Sequence, residues 1–381
     1  ALILAVAGIT TLLFKRLKQP VVLGYVVAGF LCSGNFLLKG VSDMANVDLW
    51  AQIGIIFLLF SLGLEFSFKK LVNVGGPALL TALVIITGMM CTGFMAGKLL
   101  GWTSTDSVFL GGMLSMSSTT IIIKAFDDLG LRNQRFTSLV FGVLVVEDLF
   151  AVVLMVLFST LFAQRAVADL SVSWQLFRFV FFLVLWFVVG IYLIPTFLKR
   201  IRRFLNAETL LVVSLALCLG MVVVATYAGF SPALGAFIMG SILAGTTEAE
   251  SIEKITAPVK DLFGAIFFVS VGMLVEPAVL VQYLGPILFL TFVVVVGQIF
   301  YATLGFLAAG QNLKVAIQSS FSLAQIGEFA FIIASLGLTM GVTSSFLYPV
   351  AVAVSVVTTF TTPFIIRLSE PAYRWLDRIM P

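Results

Sequence analysis

The sequence predicts an all-α polytopic membrane protein of about thirteen membrane-crossing helices, arranged as two inverted-topology six-helix repeats in which helices 5 and 12 are broken and cross. Three observations carry that prediction. Of the 381 residues, 61% are hydrophobic and only 10% charged, against about 25% charged in soluble domains. Apolar runs long enough for the roughly 30 Å hydrocarbon core recur along the chain. Short segments also recur seven spans apart.

The runs, separated by polar or Gly/Pro breaks, place spans near 1–14, 20–38, 48–66, 75–100, 107–127, 136–163, 173–198, 207–228, 232–245, 256–275, 279–309, 314–339 and 344–368. Helices follow because backbone polar groups in lipid must be satisfied within each segment. The opening ALILAVAG begins inside an apolar pattern without Met, which reads as a piece of a longer protein and not as a signal peptide. Cys32, Cys91 and Cys218 lie within apolar segments, so neither disulfides nor a cysteine metal site is expected. A net charge of +4 gives no case for nucleic acid; the expected partner is the lipid bilayer.

Lysine and arginine set the orientation. Eighteen of the 22 follow odd-numbered spans: Lys15, Arg16, Lys18, Lys69, Lys70, Lys124, Arg132, Arg135, Lys199, Arg200, Arg202, Arg203, Lys254, Lys260, Lys314, Arg367, Arg374 and Arg378. Lys39, Lys98, Arg165 and Arg178 fall on the other side. The positive-inside rule then puts the N-terminus outside and the C-terminus in the cytoplasm.

The repeat pairs LGYVVAG (23–29) with LGAFIMG (234–240), and IGIIFLLFSLG (53–63) with FGAIFFVSVG (263–272); hydroxyl-rich stretches near 115–120 and 318–328 form a third pair. Seven is odd, so the copies cross the membrane in opposite directions, as in secondary transporters whose sites form at the midplane from broken helices. Residues 1–165 are the first repeat, 166–206 a linking span and 207–381 the second repeat.

Span 6 carries adjacent acids, Glu147 and Asp148, with no other charge between Phe136 and Gln164. Each costs roughly 2.5–3.5 kcal/mol at the bilayer centre, so a functional role is the default reading. About 100° separates successive helical side chains, so one acid lines an aqueous cavity while the other lies behind it. Desolvation and a like charge favour a protonated acid, whereas a bound cation favours the ionised one. A site that holds a proton or a metal ion in turn is what an antiporter needs, and Asp148 and Glu147 are the candidate ligands, with a hydrogen-bonding support role open for Glu147. In span 5, GGMLSMSSTTIII (111–123) has four consecutive hydroxyl residues, Ser117, Ser118, Thr119 and Thr120. These compete for backbone hydrogen bonds and open a helix, though Ser and Thr also serve plain packing. In span 12, SSFSLAQIGEFAFII (319–333) is interrupted by Gln325, Gly327 and Glu328; Glu328 is read as a partner of broken backbone ends more than as an ion ligand. Gln298, in span 11, is a hydrogen-bonding side chain. No nucleophile–base pairing and no histidine suggest an enzyme; a cation channel and a cation sensor are the alternatives to an antiporter.

SLGLEF (61–66), SMSSTTI (115–121), VVEDLFAVV (145–153), FFVSVGM (267–273) and SLAQIGEFAF (322–331) together resemble the monovalent cation/proton antiporter superfamily, notably its Kef-type potassium efflux branch and related sodium/proton exchangers. The resemblance implies a homodimer in a bacterial inner membrane, with spans 1–3 and 8–10 as scaffold and spans 4–6 and 11–13 as a core that moves like an elevator. It implies that Asp148 binds the ion, that K+ or Na+ is exchanged for H+, and that no cofactor is needed. Kef-type proteins commonly continue into a C-terminal cytoplasmic nucleotide-binding regulatory domain. Two departures stand out: Glu-Asp replaces the Gln-Asp or Asp-Asp expected of relatives, and Gln298 stands where many have a lysine. Both leave proton stoichiometry open.

Overall fold

A computed structural model describes residues 2–17, 20–33, 44–65, 75–162, 172–228 and 230–379. Lys18, Lys39, Lys69, Lys70 and Arg165 of the charge pattern lie outside the described residues, as does the end of the second predicted span. Among the described residues the regular structure is all helical. The helices are α1 (Leu2–Arg16), α2 (Val21–Cys32), α3 (Met44–Glu65), α4 (Gly76–Leu99), α5 (Ser104–Leu114), α6 (Thr119–Leu129), α7 (Arg135–Phe162) and α8 (Val172–Ile201). They continue as α9 (Ala207–Tyr227), α10 (Pro232–Ala244), α11 (Ala249–Met273), α12 (Pro277–Gln282), α13 (Leu284–Ala308), α14 (Leu313–Ser322), α15 (Glu328–Thr339) and α16 (Leu347–Ile379).

Eight segments of the described residues are long and apolar enough to cross a membrane, and Val21–Cys32, Leu49–Leu64, Pro232–Ala244 and Glu328–Thr339 are shorter apolar helices. Several helix starts are fixed by side-chain caps, which satisfy N–H groups that have no partner inside the helix. Thr103 caps α5, Ser118 caps α6, Asn206 caps α9, Ser231 caps α10 and Asn312 caps α14.

Three predicted spans are each split, among them 279–309, which becomes α12 and α13 on either side of Tyr283. Residues 107–127 become α5 and α6, parted at 115–118, and 314–339 become α14 and α15, parted at 323–327. Two others run longer than expected. α11 starts at Ala249 rather than 256, and α16 runs to Ile379 rather than 368. Both extensions are exposed polar turns supported by (i, i+4) ion pairs, Glu250–Lys254 and Glu370–Arg374, which hydropathy does not register.

The chain forms two compact units. The first comprises residues 1–41, 71–151 and 271–381. In it α4 packs against α5 and α13, and α16 lies along α13, α14 and α15. The second comprises residues 42–70 and 152–270. There α3 packs on α10 at a glycine crossing, where a Cβ on Gly63 or Gly240 would come 2.9 Å from the other's Cα. Small residues of this kind let helix backbones approach closely.

Candidate functional site

All the candidate residues lie in the first unit, around the two helix interruptions. The SMSS stretch stops α5 because its hydroxyls supply other hydrogen bonds: Ser115 Oγ donates back to the Gly112 carbonyl at 2.8 Å. Ser118 then caps α6, accepting the Ile121 N–H at 3.3 Å. Backbone groups freed in this way must find partners where water is scarce.

They find them across the fold. The Leu114 carbonyl accepts Gln298 Nε2 at 3.0 Å, and the Met116 carbonyl accepts the Gly327 N–H at 2.9 Å. The Ser117 N–H donates to Glu147 Oε2 at 2.9 Å. The Ser118 N–H donates to Gln325 Oε1 at 3.1 Å, while Gln325 Nε2 donates to the Ser118 carbonyl at 3.3 Å. On the second interruption, the Leu323 carbonyl accepts Ser117 Oγ at 3.3 Å, and the Ile326 carbonyl accepts Ser355 Oγ at 3.1 Å. The interruptions face each other with little space between them. A Cβ on Gly327 would fall 2.8 Å from Ser118 Cα.

The three acids meet this junction from two helices. Glu147, on α7, is 0% exposed; beyond its bond to Ser117, its Oε1 is enclosed and makes no hydrogen bond among the described residues. Asp148, next on α7, is part-exposed and accepts the Thr119 hydroxyl at 3.0 Å. Glu328 opens α15, accepting the Ser118 hydroxyl and, at 3.0 Å, the Thr120 hydroxyl. The two neighbouring acids thus face different surroundings, as their 100° offset requires: Glu147 inward to the backbone, Asp148 towards the accessible side.

Each of Asp148, Glu147, Ser117, Ser118, Thr119, Thr120, Gln298, Gln325, Gly327 and Glu328 therefore touches the junction. The sequence reading missed Ser355 and Thr358 on α16, which brace Ile326; their signal was a run of hydroxyl residues, Ser355, Thr358, Thr359, Thr361 and Thr362, within an apolar stretch of that helix. It also missed Asp106. That carboxylate is 1% exposed and accepts Thr103 Oγ, Ser344 Oγ and the Ser344 N–H, each at 2.8 Å. It thereby fastens α5 to the loop after α15.

The profile of a family described as "Sodium/hydrogen exchanger, transmembrane" matches residues 1–368. The chain is 30% identical over 376 residues to K(+) efflux antiporter 5 of Arabidopsis thaliana, covering 97% of this chain and 66% of that protein. It is 31% identical to the putative cation/proton antiporter YbaL of Escherichia coli (strain K12), over 88% of this chain and 62% of that one. The chain thus spans about two thirds or less of these relatives' own lengths. Among solved structures, the sodium proton antiporter MjNhaP1 from Methanocaldococcus jannaschii at pH 8 superposes with a TM-score of 0.66, covering 98% of this chain and 95% of that one at 16% identity. At that identity the likeness concerns the fold.

Proposed function

Because this chain belongs to the sodium/hydrogen exchanger family, we propose that it is a secondary active antiporter exchanging a monovalent cation, K+ ahead of Na+, for protons across a bacterial inner membrane. The observation that carries the reading is Asp148: a part-exposed carboxylate held by Thr119 beside two interrupted helices. An acid there is expensive unless occupied by a proton or a cation. One seat that takes either, but not both, couples the two fluxes.

In this reading Asp148 alternates between H+ and the cation, and Glu147 tunes it or shares the load. Hydroxyls and carbonyls of residues 117–120 supply neutral oxygens, while Gln298, Gln325, Gly327 and Glu328 keep the junction in register. K+ is favoured by the plant relative's name, and Na+ remains through the family's description. The same proposal includes the inverted repeats at 1–165 and 207–381, the homodimer, the scaffold of spans 1–3 and 8–10, and the mobile core of spans 4–6 and 11–13. It includes a nucleotide-binding regulatory domain in the longer protein.

Everted membrane vesicles test it. Asp148→Asn is expected to abolish K+- or Na+-dependent proton movement, while the purified variant melts within a few degrees of wild type. Exchange at wild-type rate by that variant would refute the role of Asp148.

A further inference from the structure

Four polar side chains at the junction can be reached from outside the protein. Thr120 is exposed, and Thr119, Asp148 and Glu328 are part-exposed; Glu147, Ser117, Ser118, Gln298 and Gln325 are buried. The reachable four come from α6, α7 and α15.

Thr119 and Thr120 are consecutive, so their Cα atoms are about 3.8 Å apart. Each hydroxyl donates to a different carboxylate, Thr119 to Asp148 and Thr120 to Glu328, both at 3.0 Å. A threonine hydroxyl has one hydrogen and two acceptor lone pairs. With the hydrogen directed at a carboxylate, only acceptor capacity remains towards anything entering from the accessible side. Each carboxylate oxygen that takes a hydroxyl hydrogen also keeps a second lone pair. Two acids from different helices thus each hold one of two adjacent threonine hydroxyls, and the four side chains together offer the kind of acceptor oxygens that replace the water of an alkali cation.

Glu147 offers no such face. One of its oxygens is bonded to the Ser117 N–H, and the other is enclosed within the protein.

We infer that Glu328, and not Glu147, is the second carboxylate contacting the transported cation, which lies between Asp148 and Glu328 with the Thr119 and Thr120 hydroxyl oxygens as neutral ligands. The inference rests on the exchanger reading above and departs from it at two residues, giving Glu328 an ion-ligating role in place of a register role and withholding that role from Glu147.

Two measurements on Glu328→Gln, Glu328→Asp and Glu147→Gln decide it. One is the KM for K+ and for Na+ in everted vesicles at fixed pH. The other is the cation concentration that half-saturates thermal stabilisation of purified protein, which reads binding without transport and also reports whether each variant is folded. Glu328→Gln can still accept the Ser118 and Thr120 hydroxyls but has no charge. It is expected to raise both quantities about tenfold, equivalent to ~1.4 kcal/mol. Glu328→Asp should fall between it and wild type, and Glu147→Gln should raise both by less than Glu328→Gln. Unchanged half-saturation in Glu328→Gln, or an equal rise in Glu147→Gln, overturns the assignment. A wild-type protein that binds K+ or Na+ but exchanges neither defeats the antiporter reading alone, because the binding arm still separates the two glutamates.

Discussion

Gln325 meets a need that only a broken helix creates. Where α5 stops, the Ser118 peptide presents an N–H and a carbonyl, and the one side-chain amide bonds both, at 3.1 and 3.3 Å. The carbonyl has a second partner, the Ile122 N–H at 3.2 Å; the N–H has none that the helices supply. Gln325→Met preserves length and approximate volume while removing that acceptor. Leaving a buried donor unpaired costs about 1–3 kcal/mol, so Gln325→Met should melt several degrees below wild type in detergent. A melting temperature equal to wild type would mean the Ser118 N–H finds another partner. Glutamine suits this position because its amide donates and accepts without introducing a charge into a dry junction.

At the scale of elements, the junction depends on how closely two interruptions approach. Gly327 sits in extended backbone, φ −100° and ψ −172°, which any residue can adopt, so its reason for being glycine is space. A Cβ there would meet Ser118 Cα at 2.8 Å and the Ser117 carbonyl at 2.9 Å. These are backbone atoms that cannot rotate aside. Gly327→Ala should therefore part α15 from α6 and break the Gly327–Met116 hydrogen bond, at a cost of about 1–3 kcal/mol for overpacking. The expected outcome is a lower melting temperature together with lost exchange in vesicles; normal exchange would show that the close approach is dispensable. Both interruptions were legible in the sequence, because Ser117–Thr120 and Gln325–Glu328 are residues that a continuous apolar helix has no use for. Their partners were not. Ser118 bonds residues 207 and 210 positions away, and periodicity marks a side chain as needing a polar partner without saying which. Asp106 was illegible for a related reason. At the first turn of α5 it looks like an ordinary helix-start acid, and only the return of the chain at Ser344 makes it a clasp. The long α16 was cut short because an exposed helix beyond the apolar run leaves no hydropathy signal.

For the whole molecule, the proposed orientation rests on charge that the helix ends now localise. Lys15 and Arg16 close α1, Lys199 and Arg200 close α8 ahead of Arg202 and Arg203, and Arg374 and Arg378 lie in the last turns of α16. The turn between α4 and α5 is preceded by a lone Lys98, which hydrogen-bonds Ser104 at 2.7 Å. Basic residues near a cytoplasmic leaflet gain about 1 kcal/mol each from anionic lipid, and short loops rich in them resist translocation. Clustered as they are here, they outweigh the four scattered basic residues of the opposite side, Lys39, Lys98, Arg165 and Arg178. A fluorescent protein fused after α16 should then light up in whole cells, and alkaline phosphatase at the same point should be inactive. Phosphatase inserted between Leu100 and Thr103 should be active. The reverse pattern would place Asp106 and its Ser344 clasp on the cytoplasmic side. It would leave the hydrogen-bonded junction untouched, because those contacts depend on neither leaflet. Sidedness is thus set by surface charge and the junction by internal hydrogen bonds, so the fusion assay and the vesicle assay test separate claims.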